Sequence, residues 1–90
     1  MPKGMFLDVT VRDPESMLYE GRCSFVSAIN PQGEFDVLPQ HTGFITLISE
    51  RLTLGVYKGA ELEIEFESGV LRCASDVVSV YLGLESVTIE

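Results

Sequence analysis

Residues 61–67 read Glu-Leu-Glu-Ile-Glu-Phe-Glu. Acidic and apolar side chains alternate without a break, and a period of two is the period of a β-strand. Residues two apart then share a face, so Leu62, Ile64 and Phe66 would line one side and the glutamates the other. The same alternation extends outward in both directions. Leu7, Val9 and Val11 alternate with Asp8, Thr10 and Arg12; Leu52, Leu54 and Val56 alternate with Thr53, Gly55 and Tyr57. Turn-forming residues punctuate these runs at Asp13–Ser16, Glu20-Gly21, Asn30–Gly33, Gln40–Gly43, Lys58-Gly59, Ser68-Gly69 and Ser75-Asp76. Short strands with closely spaced turns predict an all-β sandwich or barrel. The connections are too short for helical crossovers, so its sheets should be mainly antiparallel. Phe44–Ile48 fits a helical stripe as well as a buried strand. Its β-branched content and the preceding Gly43 favour strand. Val87-Thr88-Ile89 reads as a further strand.

The 90 residues carry 14 acidic and 6 basic side chains, a net charge of −8, with 46% hydrophobic residues. This is a globular balance rather than a disordered one, and the length fits one domain, residues 1–90. A domain of this size buries only about 60–65% of its unfolded surface, so most apolar strand faces must enter the core. So acidic a surface repels nucleic-acid phosphates and anionic membrane leaflets. No apolar run approaches the length of a membrane-spanning helix, and Asp8 interrupts the first apolar run before it could form a signal-peptide core. The chain is expected to be soluble and intracellular, with Cys23 and Cys73 as buried, reduced thiols.

Catalytic patterns are scarce. His41 is the single histidine. A mixed zinc site would need it together with Cys23, Cys73 and a carboxylate, at spacings that match no metal knuckle. A serine nucleophile could use His41 and Asp36, yet there is no Gly-x-Ser-x-Gly elbow. Glycine-rich phosphate loops are absent. The four glutamates of residues 61–67 form a row along a strand rather than a cage for a cation, and they read as a solvated face. No catalytic residue, metal ligand or cofactor is assigned. Asn30–Glu34 reads as a hairpin loop or a contact loop, and His41 as a polar turn residue or a packed ring.

The central stretch carries a more specific pattern. Leu7-Asp8-Val9, the Tyr19-Glu20-Gly21 turn, the segment Gly33-Glu34-Phe35-Asp36-Val37-Leu38-Pro39-Gln40-His41, Ser68-Gly69-Val70-Leu71 and Val77–Val80 follow one another in order. Together they resemble the N-terminal domain of the epsilon subunit of F-type ATP synthases, called delta in mitochondria. The chain departs from that family at His41-Thr42-Gly43, where His-Ala-Pro is usual, and at Ser68-Gly69, where a double glycine is usual.

The resemblance implies a flattened antiparallel β-sandwich of about ten short strands. It implies a non-catalytic subunit at the foot of the rotating central stalk, coupling the gamma subunit to the c-ring for proton- or sodium-driven ATP synthesis. The subunit would be peripheral, on the cytoplasmic face of the energy-transducing membrane. Asn30, Pro31, Gln32, Gly33 and Glu34 would face the polar loops of the c-ring, with Glu34 opposite an arginine-bearing loop. Leu7, Val9, Val11, His41 and Thr46 would lie toward gamma. The helical hairpin that follows this domain in the family does not follow here, so neither inhibition of hydrolysis by that route nor nucleotide binding is expected. One exposed Glu–Arg pair stabilises by only about 0.2–1 kcal/mol and sets register; affinity would come from apolar surface buried against gamma. The competing reading is a small acidic β-sandwich that binds a sugar or protein ligand, although a chain with no tryptophan offers a poor sugar platform.

Overall fold

Six strands account for nearly all of residues 6–40 and 43–83, the residues described by the computed structural model. They are β1 (Leu7–Arg12), β2 (Met17–Asn30), β3 (Gly33–Val37), β4 (Phe44–Val56), β5 (Glu61–Ala74) and β6 (Val77–Leu82). The ladder order is β1-β6-β5-β4-β2-β3, and β1 also pairs with β2. That extra pairing closes β1, β6, β5, β4 and β2 into a flattened barrel, with β3 added outside β2. Closure removes most of the open edges that a small sheet would otherwise expose.

The expected all-β architecture is present, built from fewer and longer strands. Three of them run 13 or 14 residues, and each serves two layers. One layer holds β3, the second half of β2, the second half of β4 and the first half of β5. The other holds the first half of β4, the second half of β5, β6, β1 and the first half of β2. The long strands change layer at bulges. The β4–β5 register shifts between Ser49 and Glu50, where Glu50 has φ 74°, and the β2–β4 register shifts between Cys23 and Phe25.

Two glycine-containing pairs read as turns therefore lie inside strands: Glu20-Gly21 in β2 and Ser68-Gly69 in β5. Glycine is needed at position 69 for close approach rather than for turning. A Cβ there would sit 2.6 Å from the carbonyl oxygen of Tyr81 on β6. The sheet is mainly antiparallel as expected, with one parallel pairing, β1 with β6. Phe44–Ile48 is strand, not helix. Residues 87–89, read as a further strand, lie outside the described residues.

Short connections complete the barrel. Asn30 Oδ1 accepts from the Gln32 amide at 2.9 Å, and Gly33 follows at φ 121°, which fixes a two-residue hairpin between β2 and β3. Asp13 Oδ1 accepts from the Glu15 and Ser16 amides, both at 2.8 Å, and organises the turn after β1. Those amide bonds hold the Asp13 carboxyl below its ordinary value. Ser75 and Asp76, both at positive φ, form the β5–β6 turn.

The core lies between the layers. Leu52, Leu54, Val26 and Val37 come from one layer, and Leu71, Val78, Val80, Leu7, Val9 and Val11 from the other. Phe35, Phe44, Ile64, Phe66 and Tyr19 close its margins. Cys23 and Cys73 are buried free thiols, as expected, and burial pushes both up from the usual thiol range. Glu61, Glu63, Glu65 and Glu67 are all exposed, with Ile64 and Phe66 turned inward beneath them.

Candidate docking faces

β1 alternates strictly, and the barrel takes its apolar side. Leu7, Val9 and Val11 are 0–1% exposed. The expectation that they meet a partner is therefore corrected: they are core residues, because a thin barrel cannot spare three branched side chains from its interior. A partner lying on β1 would meet Asp8, Thr10 and Arg12 instead. His41 lies outside the described residues.

The β2–β3 hairpin presents Pro31, Gln32 and Glu34 to solvent, with Asn30 and Gly33 half-buried at its base. Thr46 sits half-buried on β4, and its Oγ1 accepts from Asn30 Nδ2 at 3.4 Å. The fold thus brings together two residues expected to face different partners. Thr46 also donates to the Leu47 carbonyl at 3.3 Å. Its hydroxyl braces the hairpin base against β4 rather than standing free.

Glu34 already has a cationic partner. Arg51 Nη2 donates to Glu34 Oε2 at 2.8 Å, and Arg51 Nε lies 3.5 Å from Glu63 Oε2. Arg51 faces Glu65 across the β4–β5 ladder and projects from the outer side of its layer. Around it, Ser27 donates to Asp36 at 2.6 Å, and these residues with Thr53 line a shallow polar depression. This outer face is acidic and wet. Among the described residues no group of three or more His, Cys, Asp or Glu side chains converges as metal ligands would.

The outer face of the other layer has the opposite chemistry. The ladders align Leu47, Val70, Tyr81 and Arg12 in one row across β4, β5, β6 and β1, and Ile45, Arg72, Ser79 and Thr10 in the next. Ile45 and Leu47 are 66% and 64% exposed, and Val77 and Tyr81 are 47% and 43% exposed. This face was missed in the sequence, although one signal was available. Phe44–Ile48 is apolar at nearly every position, which means apolar on both sides of a strand. A strand of that kind has its second side covered by something else.

Among the described residues no helix is long and apolar enough to cross a membrane. The family described as ATP synthase, Delta/Epsilon chain, beta-sandwich domain matches residues 6–82. The ATP synthase epsilon chain of Acidithiobacillus ferridurans is 34% identical over 77 residues, which cover 84% of this chain and 54% of that one. The chain therefore spans about half the length of the curated relative it matches. Among solved structures, a chain of the Euglena gracilis mitochondrial ATP synthase with OSCP, F1 and c-ring superposes with a TM-score of 0.82 at 13% identity, covering 91% of this chain and 53% of that one. A chain of the Tetrahymena thermophila mitochondrial ATP synthase central stalk and c-ring gives 0.71, also at 13% identity, over 90% and 66%. At that identity the superpositions establish the fold alone. The match over residues 6–82, a span that contains all six strands described above, places the chain in the ATP synthase delta/epsilon chain beta-sandwich domain family.

Proposed function

We propose that this chain is a non-catalytic central-stalk subunit of an F-type ATP synthase, joining gamma to the c-ring. The observation that carries the reading is the division of one closed barrel into two outer faces of opposite chemistry. The apolar face around Ile45, Leu47, Val77 and Tyr81 offers the surface for gamma. The exposed hairpin tip with Glu34, on the acidic side, offers the contact for a basic c-ring loop. Apolar burial supplies affinity, while an exposed carboxylate supplies register. A barrel whose strands hydrogen-bond continuously around its girth transmits torque between the two contacts without shearing.

In this reading the chain works on the peripheral, cytoplasmic side of the membrane and performs no bond chemistry of its own. The test is reconstitution of the remaining synthase in vesicles with and without this chain. Ion-driven ATP synthesis should depend on its addition. Equal synthesis in its absence would overturn the reading.

A further inference from the structure

We propose that Arg72 sets the specificity of the apolar face by requiring a carboxylate at the centre of the surface that covers it. The inference rests on the docking of gamma proposed above and adds the chemistry of the partner. Arg72 is exposed on β5 in the middle of that face. Its outward neighbours are Val70 and Ala74 along the strand, with Ile45 and Ser79 across the ladders. None carries a charge. The next outward positions, Leu47, Val77 and Tyr81, are apolar or aromatic, and the charged residues of this face, Asp8 and Arg12, stand two strands away on β1.

The contrast with Arg51 is instructive. On the acidic face Arg51 reaches two carboxylates. Arg72 makes no ion pair among the described residues, although the sequence holds 14 acidic side chains against 6 basic ones. In the free protein this costs little, because water solvates the guanidinium. Once a partner seals the face, the apolar neighbours exclude that water. A guanidinium desolvated without a counter-charge is strongly unfavourable, whereas a planar bidentate pair with Asp or Glu restores its hydrogen bonds. The surface covering the face must therefore be apolar with a central acidic side chain. A wholly apolar partner would be rejected, and so would one with a basic residue at that position.

Binding of the purified chain to the gamma subunit of its own complex tests this, with three variants at exposed positions. Arg72→Met keeps an unbranched apolar side chain and removes the charge. It should weaken binding by about tenfold or more, mainly through faster dissociation, and Arg72→Glu should weaken it further. Leu47→Asp tests the underlying docking and should also weaken binding. If Leu47→Asp loses affinity while Arg72→Met binds as tightly as the parent chain or tighter, the carboxylate requirement is wrong and the docking face stands. If Leu47→Asp leaves affinity unchanged, the face itself is wrong and the requirement falls with it. Thermal unfolding of each variant, expected to match the parent chain, separates lost binding from lost folding.

Discussion

Tyr19 lies across the backbone of Gly21, with a Cβ at that glycine only 2.8 Å from the phenol oxygen. The hydroxyl donates to the Arg22 carbonyl at 3.2 Å and accepts from Cys23 Sγ at 3.6 Å. Burial, helped by the Cys23 thiol, pushes the phenol from 10.0 up to about 12. Because the folded value lies above the unfolded one, the neutral ring contributes stability that is intact below pH 10.0. That contribution is lost as the pH rises toward about 12. An ultraviolet titration should show one phenol ionising near pH 12 in the folded chain, absent from Tyr19→Phe. The fall in Tm on going from about pH 8 to about pH 11 should be smaller in Tyr19→Phe than in the parent chain. An equal fall in both would remove Tyr19 from the alkaline transition.

At the scale of elements, the β5–β6 turn holds two non-glycine residues in left-handed backbone, Ser75 at φ 52° and Asp76 at φ 63°. That geometry suits the twist of a two-residue hairpin, which favours Asn-Gly in these places. Asp76 has reasons to stay: its carboxylate accepts from the Gln40 amide at 2.6 Å, and its carbonyl accepts from the Asp8 amide at 2.9 Å. Ser75 has no such tie among the described residues. Ser75→Asn should therefore stabilise the fold by a few tenths to about 1 kcal/mol, read as a higher urea midpoint at unchanged slope. This turn was legible in the sequence, and so was the alternation of β1 and β5, because both are local signals. The continuity of β2 and β5 through Gly21 and Gly69 was not. A glycine demanded by a neighbouring strand looks the same in sequence as one demanded by a turn. The Glu34–Arg51 pair was equally hidden, since its partners stand 17 residues apart and meet only through the β2–β3 and β2–β4 ladders. Leu7, Val9 and Val11 were seen correctly as one face of a strand. Only the closed barrel reveals that this face is the interior.

Across the whole molecule, which measures about 48 × 25 × 19 Å, the two outer faces place different demands on salt. Docking through the apolar face should respond weakly to ionic strength, because its driving force is burial. Docking through Glu34 should respond strongly, because both the contact and its internal competitor are exposed ion pairs. Where a basic loop claims the Glu34 oxygen that Arg51 holds, Arg51 has to let go of it, and Glu63, 3.5 Å from Arg51 Nε, is placed to keep the released guanidinium. An exposed pair of this kind stabilises by about 0.2–1 kcal/mol, so freeing Glu34 beforehand should strengthen docking by up to about fivefold. Arg51→Gln should accordingly bind c-ring assemblies more tightly than the parent chain at low salt. Glu34→Gln should bind less tightly, and the variants should converge as screening shortens the Debye length to about 3 Å near 1 M salt. Titrating each variant against c-ring vesicles at two ionic strengths separates the possibilities. Weaker docking of Arg51→Gln would mean that the guanidinium orders the hairpin for its partner instead of competing with it. Glu34 would then act as part of a fixed acidic face rather than as a carboxylate that changes hands.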